Sequence, residues 1–364
     1  MFCKIDQKSP IVYEIEGIGH SKTEKKPDAF NVVTQNKFLR TLPKEVQAEV
    51  CKDGKTIGEV AKVWNKIVWP KRTFFDGSTA ELAMLAVQDC FENALNRNFI
   101  DFDPGGIDLI IGATNTGPGY SSLADYVKRG IGINPPAARR DENSLVNAEC
   151  WDLTEACTSG SVAITKAIAC IAGGMYKRVL VVCSEKATTL TPREKWQGSN
   201  LFGDASFAMM LKASTDKTKQ SFYFFENNCF PFDGNIEFIR KTETGFFQDG
   251  RKVHRFVGGK VIPTFVDSVK RAGIEVEDIS HIIFHQPSLK TVEFSEEELR
   301  KLWPNFKGKF HKSKNIGNAS SASFGHLVST KYQAGIIKPG EMVVTCTFGA
   351  GLSLSILGFR FTEC

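Results

Sequence analysis

A cysteine at residue 157 has the setting of an activated nucleophile. The segment Ala148–Gly160 reads as a strand-like run that ends at Cys157, followed by small residues and the start of a helix. A thiol at a helix N-terminus faces unpaired backbone N–H groups and the positive end of the helix dipole, and both favour the thiolate. Because the thiolate is the nucleophile, the segment predicts a strand–turn–helix nucleophile site. The alternative, equally open on this segment alone, is a buried cysteine that fills a small gap.

Two further segments carry polar side chains at the ends of predicted elements. His285 follows the apolar run His281–Phe284, and the ends of parallel strands are where α/β folds place their sites. Asn318 stands among small residues, which let the backbone approach a ligand closely, ahead of a helix predicted over Phe324–Gly335. The alternatives are a structural histidine and a simple helix-capping cluster.

A fourth segment, Thr347–Leu352, is a glycine-rich turn between two predicted strands. Such a turn can present a backbone N–H group to an oxyanion that develops during a reaction. The alternative is a tight hairpin turn without a chemical role.

Alternating strands and helices must position these four segments. Short apolar runs predict strands buried on both faces, and stretches with apolar residues at helical spacing lie between them. This alternation favours an α/β fold with mainly parallel strands. The predicted strands are Ile107–Gly112, Arg178–Cys183, His281–Phe284 and Met342–Thr345, and the predicted helices include Ser78–Leu95 and Ser159–Ala172.

The chain also contains an internal echo. Phe99–Gly112 and Ala272–Phe284 each read as a helix end, an acidic linker and an Ile-rich strand, and a weaker echo relates Arg178–Ser184 to Met342–Thr347. The matching order predicts two related halves, 1–212 with the cysteine and 213–364 with the histidine and asparagine. The segment Ala213–Thr244 has no clear period and is interpreted as a connecting or capping insertion.

Composition excludes several classes of protein. The 364 residues carry a formal charge of +5, and no block of basic residues is interleaved with aromatics as single-stranded nucleic acid would require. The ten cysteines form no CxxC pair, which argues against a zinc knuckle. We find no apolar signal core at the start and no stretch approaching the ~18 apolar residues of a membrane span. A reducing cytoplasm is therefore expected.

The four segments, in this order and spacing, resemble the thiolase superfamily, and most closely its β-ketoacyl-acyl-carrier-protein synthase III branch. The similarity runs from about Glu16 to the C-terminus, and further matching stretches are Lys177–Ser184, Leu201–Ala208 and Gly250–Phe256. The resemblance implies an α/β thiolase-like fold with two related halves. Each half would hold a mixed, mainly parallel sheet, in layers α/β/α/β/α.

The resemblance also implies catalytic roles. Cys157 would be the acylated nucleophile, and His285 and Asn318 would complete a Cys-His-Asn triad. In that family the histidine and asparagine donate hydrogen bonds to the extender thioester carbonyl and stabilise the enolate that forms when malonyl loses carbon dioxide. The backbone N–H groups of Cys157 and Ala350 would form the other oxyanion hole, and the kinetics would be ping-pong.

Three residues are implied in substrate binding. Arg251 and Lys290 match positions that face coenzyme A or the phosphopantetheine of the carrier protein. Glu155 departs from the family pattern, which has a small residue there, and strand alternation would put it on the same side as Cys157. A carboxylate there would oppose thiolate formation, so Glu155 would instead bind a polar substrate, act as a base or point into a subunit contact. The charged segment Lys128–Asn147 is also longer than the family pattern, which indicates a specialised relative.

Three functions follow as hypotheses. The first is a decarboxylative condensing enzyme that joins an acyl thioester to a malonyl- or β-ketoacyl-carrier protein, in fatty acid or specialised polyketide-type biosynthesis. The second is a same-fold acyltransferase that passes the acyl group to an oxygen, nitrogen or non-malonyl carbon nucleophile. The third is a non-catalytic partner subunit, which the complete triad disfavours.

The expected partners follow from the same resemblance. Acyl-coenzyme A and acyl carrier protein would be thioester substrates, and the protein would form a homodimer with Tyr120 or its neighbours near the contact. No metal, flavin or nicotinamide cofactor is implied, because no GxGxxG or Walker motif occurs around the glycines at 117 and 119. Neither nucleic acid nor membrane insertion is expected.

Overall fold

A computed structural model describes residues 1–97, 103–133, 148–230, 239–243 and 245–363. The strands are β1 (Phe2–Lys4), β2 (Val12–His20), β3 (Phe30–Thr34), β4 (Lys71–Phe75), β5 (Leu109–Ala113), β6 (Glu149–Leu153), β7 (Arg178–Lys186), β8 (Asp204–Ser214), β9 (Phe222–Cys229), β10 (Ile239–Thr242), β11 (Gly245–Gln248), β12 (Ile279–Phe284), β13 (Lys309–Phe310), β14 (Met342–Gly349) and β15 (Ser353–Phe359). The helices are α1 (Gln35–Arg40), α2 (Lys44–Val50), α3 (Ile57–Trp64), α4 (Thr79–Asn96), α5 (Leu123–Ile133), α6 (Ser159–Ala172), α7 (Trp196–Ser199), α8 (Gly250–Phe256), α9 (Ile262–Ala272), α10 (Leu289–Leu302) and α11 (Ser323–Gln333).

Two large sheets share one strand arrangement. The first has the order β2-β8-β7-β5-β6, and the second has the order β1-β9-β15-β14-β12-β13. With β1 set aside, both run through two antiparallel pairings and then two parallel pairings. Strand by strand, β2, β8, β7, β5 and β6 correspond to β9, β15, β14, β12 and β13. The predicted two related halves, each with a mixed sheet, are confirmed.

The division of the chain is less simple than the order of the strands. The first strand, β1, pairs with β9 and so belongs to the second sheet. Strand β8 runs to Ser214, beyond the predicted boundary at residue 212. The boundary itself stays a prediction.

Helices separate and cover the two sheets. Helices α6 and α11 lie between them, α4 and α5 cover the outer face of the first sheet, and α9 and α10 cover the outer face of the second. The layers are therefore α/β/α/β/α, as predicted. Because α6 is enclosed by both sheets, it is apolar on most of its circumference, and Ala163, Ile164, Ala167 and Ile168 are all buried.

Local sequence signals account for the main helices. Ser78 and Glu81 form a capping box at the start of α4, and the predicted helix Ser159–Ala172 has the same bounds as α6. A smaller apolar cluster, built from α1–α3 and the β3–β4 pair, sits apart from the large cores and was not predicted.

The interpretation of Ala213–Thr244 as a connecting or capping insertion is wrong for the part that contains β9. Strand β9 lies inside the second sheet, between β1 and β15. The polar residues at positions 226–228 interrupt the apolar run by which a buried strand is recognised in a sequence. Glu226 is buried, but it pairs with Arg271 and accepts a hydrogen bond from Ser268. These contacts offset the free-energy cost of burying a carboxylate. Residues 231–238 and 244 of this segment, and Arg139 and Arg140 of the charged segment, lie outside the described residues.

Within the described ranges, no helix has the length and apolar character needed to cross a bilayer.

Candidate active site

Cys157 lies in a strained turn between a strand and a helix. Strand β6 ends at Leu153 and α6 begins at Ser159. Ala156, directly before the cysteine, has φ of +46°, in the left-handed region that non-glycine residues rarely adopt. The Ser159 hydroxyl supports the turn, since it donates to Ala156 O and accepts from Glu155 N, both at 2.7 Å. The structure thus has the strand–turn–helix form that the sequence predicts.

The thiol is not an intrinsically acidic one. Burial raises the pKa of Cys157 to about 11 and is the largest influence on it. A hydrogen bond from the Ser320 hydroxyl lowers this pKa, while the nearby charge of Glu185 raises it. Loss of solvent around the sulfur thus opposes the preference for thiolate that a helix N-terminus gives, and a thiol with a pKa of about 11 is protonated at neutral pH.

The glycine-rich turn between β14 and β15 presses against the nucleophile. A Cβ atom on Gly349 would lie 2.8 Å from Cys157 N and 2.9 Å from Cys157 Cβ, distances that no real side chain could occupy. The two backbones therefore touch, and Ala350 follows directly in the chain. The turn is both a hairpin connection and part of the surroundings of Cys157, so the two readings of this segment are compatible.

His285 lies at the end of β12, as the sequence predicts, and is buried. Its backbone N–H donates to Cys346 O at 2.7 Å, and its ring packs edge-on against Phe348 with centroids 5.4 Å apart. Its Nδ1 atom has no hydrogen-bond partner among the described residues. Burial lowers the pKa of His285 to about 3, so the imidazole is neutral at any ordinary pH.

Asn318 is fixed from three directions. Its backbone N–H donates to Leu201 O at 2.9 Å, and its carbonyl accepts from Gly203 N at 3.1 Å. Its side-chain oxygen accepts from Ser320 N at 2.9 Å. Because the oxygen is engaged, the side-chain nitrogen is the group that remains to serve a substrate.

Shared neighbours bring these segments together. Ser320, which Asn318 holds, donates to the Cys157 sulfur at 3.6 Å. Gly349, which touches Cys157, is joined in the chain to Phe348, which packs on His285. Cys157 comes from the first half of the molecule, and Ser320 and Gly349 come from the second.

Glu155 is placed differently from the expectation. Strand β6 ends before it, and the turn at Ala156 breaks the alternation that would have aligned residues 155 and 157. The Glu155 side chain is exposed, and the carboxylate that influences the Cys157 thiol is Glu185. A substrate-binding role for Glu155 stays a prediction, as does a subunit contact at the fully exposed Tyr120.

The predicted basic residues lie on neighbouring helices. Arg251 is exposed in the first turn of α8 and Lys290 is exposed in the first turn of α10. His254 lies one turn from Arg251. Burial lowers the pKa of His254, and the nearby charge of Lys290 lowers it further. The His254 ring packs on Phe294, one turn from Lys290, with centroids 3.9 Å apart. The two cations thus flank one surface, and their role in substrate binding stays a prediction.

Three residues near the nucleophile were missed by the sequence analysis. Asn115 follows β5, Glu185 lies near the end of β7, and Ser320 belongs to a segment that had been noted only for Asn318. The available signals were the polar triplet at 114–116 and a carboxylate that closes an otherwise apolar strand. Neither signal indicates by itself that these side chains meet.

Among the residues that the structure describes, no group of three or more His, Cys, Asp or Glu side chains is arranged to hold a metal ion.

Comparison with known proteins agrees with this architecture. The profile of the 3-oxoacyl-(acyl-carrier-protein) synthase III family matches residues 151–228, and the profile of its C-terminal region matches residues 269–361. A β-ketoacyl-(acyl-carrier-protein) synthase III from Clostridium acetobutylicum is 26% identical over 310 residues, which cover 80% of this chain and 87% of the relative.

Solved structures share the fold. A 3-oxoacyl-(acyl-carrier-protein) synthase III from Aquifex aeolicus superposes with a TM-score of 0.76 at 19% identity, covering 96% of this chain and 100% of the other. A priming β-ketosynthase from a polyketide biosynthetic pathway superposes with a TM-score of 0.75 at 20% identity, covering 97% of each chain. In its two matched regions and in its fold, the chain is thus similar to β-ketoacyl-(acyl-carrier-protein) synthase III enzymes.

Proposed function

We propose that this protein loads an acyl group onto Cys157 and joins it by Claisen condensation to a unit on an acyl carrier protein, with loss of carbon dioxide where that unit is malonyl. The observation that supports this most directly is the contact between the Gly349 backbone and Cys157. This contact puts the glycine-rich turn of one half against the nucleophile turn of the other, where an acyl carbonyl would need backbone N–H donors.

In the first step, the Cys157 sulfur attacks the carbonyl of an acyl-coenzyme A thioester. A carbon–sulfur bond forms, the oxyanion is held by the N–H groups of Cys157 and Ala350, and coenzyme A leaves with the thiol proton. Because the pKa of Cys157 is about 11, the proton must be lost as attack proceeds.

In the second step, the malonyl thioester loses carbon dioxide and becomes an enolate. His285 and Asn318 donate hydrogen bonds to its oxygen, and the enolate carbon attacks the acyl-cysteine carbonyl and expels the Cys157 thiolate. A neutral His285 suits this role, since the imidazole keeps one N–H group to donate and adds no charge that the buried site must neutralise. Arg251 and Lys290 would contact the phosphates of coenzyme A or phosphopantetheine.

Mass spectrometry of the intact protein tests the first step. Incubation with a panel of acyl-coenzyme A donors should add one acyl mass to the wild-type protein and none to Cys157→Ala. Cys229→Ala is the matched control, because Cys229 is exposed in β9 and should not affect loading. Loading that survives in Cys157→Ala, or fails with every donor in folded wild-type protein, contradicts the proposal.

Release of carbon dioxide from a malonyl thioester tests the second step. The wild-type protein should release it, and Asn318→Ala should release it more slowly while loading acyl groups normally. Acyl transfer without any release of carbon dioxide would point instead to a same-fold acyltransferase with another acceptor.

A further inference from the structure

Backbone strain is concentrated around the nucleophile. Two described non-glycine residues have positive φ angles, Ala156 at +46° and Ser320 at +45°. Ala156 directly precedes Cys157, and the Ser320 hydroxyl lies 3.6 Å from the Cys157 sulfur. Residues held in this conformation cost free energy and persist where the surroundings determine them, commonly at functional sites.

We propose that Ser320 is a further catalytic residue whose hydroxyl donates a hydrogen bond to the Cys157 sulfur, and that Asn115 and Glu185 are positioning residues that hold both strained turns against each other. The proposal rests on the proposed function of Cys157 as the nucleophile. It adds a hydrogen-bond donor to the sulfur itself, distinct from the donors that face the substrate oxygens.

The direction of the Ser320 hydrogen bond follows from its neighbours. Asn115 Nδ2 lies 3.2 Å from Ser320 Oγ, and an amide nitrogen has no lone pair to accept a hydrogen. The single hydroxyl hydrogen of Ser320 is therefore free of Asn115 and points to the sulfur, which accepts at a distance normal for sulfur. The Ser320 backbone N–H is occupied separately by the side-chain oxygen of Asn318.

Asn115 connects the two strained turns. Besides Ser320 Oγ, its side-chain nitrogen approaches Ala156 O at 2.9 Å and Glu185 Oε1 at 2.7 Å. Two amide hydrogens are thus shared among three oxygens, one from each turn and one from the carboxylate. Moving either turn would break a contact with the same amide group.

Glu185 fixes Asn115 in turn. Its buried carboxylate accepts from Asn115 N at 3.1 Å and from the Thr116 hydroxyl at 3.0 Å, and it accepts a further hydrogen bond from the Ser321 hydroxyl. Buried carboxylates require such donors, and here the donors come from the loop after β5 and from the turn that carries Ser320. Glu185 therefore ties Asn115 and Ser320 to the end of β7.

The expected chemical effect arises because charge on the sulfur changes during the reaction. The sulfur is negative as it attacks the acyl donor and again as it is expelled from the acyl-enzyme, but it is neutral in the resting thiol and in the thioester. Hydrogen bonds to charged acceptors are stronger than hydrogen bonds to neutral ones, so the Ser320 donor stabilises the reacting states more than the resting states.

The experiment measures the rate at which iodoacetamide alkylates Cys157, between pH 7 and pH 10, by peptide mass spectrometry. Ser320→Ala and Ser320→Gly both remove the hydroxyl, and glycine also removes the strain at this φ angle. Both variants should be alkylated about tenfold more slowly than wild type at a given pH, the order expected for one hydrogen bond to a charged group. Asn115→Ala should move the profile in the same direction by a smaller factor.

Ser329→Ala is the matched control, because Ser329 is a buried serine of α11 whose hydroxyl contacts His20 instead of the site. An unchanged profile in both Ser320 variants, in protein that still loads acyl groups, would overturn the proposal while leaving the proposed function intact. If the Ser320 variants are alkylated more slowly but the wild-type protein never loads an acyl group, the hydrogen bond is supported and the proposed function is rejected. A slowed profile in Ser320→Ala alone would assign the effect to the backbone and also overturn the proposal.

Discussion

The turn between β6 and α6 and the turn between β13 and α11 occupy equivalent places in the two halves. Each contains a non-glycine residue with a left-handed φ angle three residues before its helix starts, Ala156 before Ser159 and Ser320 before Ser323. In the first turn the strained residue has only a methyl group, and the next residue is Cys157. In the second turn the strained residue itself supplies a hydroxyl to that cysteine. The same backbone device thus presents a nucleophile in one half and a hydrogen-bond donor in the other.

The ends of the strands beside these turns also carry different side chains in the two halves. The register pairs Ala113 with Cys183 in the first sheet and Phe284 with Cys346 in the second. One residue beyond Ala113 and two beyond Cys183 lies a polar pair, Thr114 and Glu185, and the corresponding positions of the second half hold the imidazole of His285 and the ring of Phe348. The apolar neighbourhood explains why the imidazole of the second half is neutral, with a pKa of about 3. The two halves share one strand arrangement, and the chemistry depends on residues that they do not share.

Replacing Cys157 gives the largest expected effect and tests whether the first turn alone carries the nucleophile. Cys157→Ala should lower condensing activity by a factor of about a thousand or more, because the covalent step is lost. Adding Ser321→Cys should not restore acyl loading, although residue 321 is the equivalent position of the second turn. Ser321 is fully buried against Glu185 and Cys183, so a thiol there would have no open path to an acyl donor.

Restored loading in this double variant would show that either turn can hold the nucleophile. The two turns would then be equivalent in backbone conformation, and the difference in their side chains would not decide which one carries the nucleophile.

The pH dependence of thiol reactivity separates burial from the helix-end effect. Since burial raises the pKa of Cys157 to about 11, the thiolate fraction, and with it the rate of alkylation, should rise about tenfold for each pH unit from 7 to 10. His285, with its pKa of about 3, should add no change in this range. A rate that is already level at pH 7 would mean that the helix N-terminus outweighs burial.

Gly349→Ala tests the contact that joins the two halves. The new Cβ atom would meet the Cys157 backbone at 2.8 Å, so one of the two turns must shift. We expect activity to fall about a hundredfold, since a small misplacement of reacting groups is costly, and the free energy of unfolding to fall by about 1–3 kcal/mol. Gly250→Ala is the control, because nothing lies within 4 Å of the added atom there.

Normal activity in Gly349→Ala would show that the hairpin turn is only a neighbour of the nucleophile. The measurements are steady-state turnover and denaturant unfolding on the same preparations.

Sequence reasoning was most successful where one segment determines its own structure. The helix Ser159–Ala172 has the bounds that the sequence suggested, and the predicted helix Ser78–Leu95 differs from α4 by one residue at each end, because caps, glycines and helical spacing are local signals. Strand β9 was missed, because its glutamate and asparagines obscure the pattern until Arg271 and Ser268 are in place.

The candidate site shows the same limit. Cys157, His285 and Asn318 could be named from short motifs and a resemblance. The hydrogen bonds among Asn115, Glu185 and Ser320 join residues that are 70 to 205 positions apart, so no local signal predicts them. The raised pKa of Cys157 could not be inferred from the sequence for a related reason, since the helix start is visible in the sequence but the loss of solvent around the sulfur is not.

Glycine substitutions in the two turns give the smallest expected effects and the most direct comparison of the turns. Ala156→Gly removes a left-handed alanine, which costs about 1–2 kcal/mol, and adds a glycine entropy cost of about 0.5–1 kcal/mol. The free energy of unfolding should therefore rise by up to about 1.5 kcal/mol. Ser320→Gly gains the same relief but loses the contacts of its hydroxyl, worth about 1 kcal/mol, so its stability should change little.

Alkylation of Cys157 should separate the variants further, because Ala156→Gly keeps every donor to the sulfur and Ser320→Gly does not. Alkylation should therefore be slowed more in Ser320→Gly than in Ala156→Gly, whereas strain relief alone, if strain activated the nucleophile, would slow it equally in both. Equal slowing in both variants would mean that the backbone conformation, which the turns share, controls the cysteine, and that the hydroxyl which distinguishes them does not.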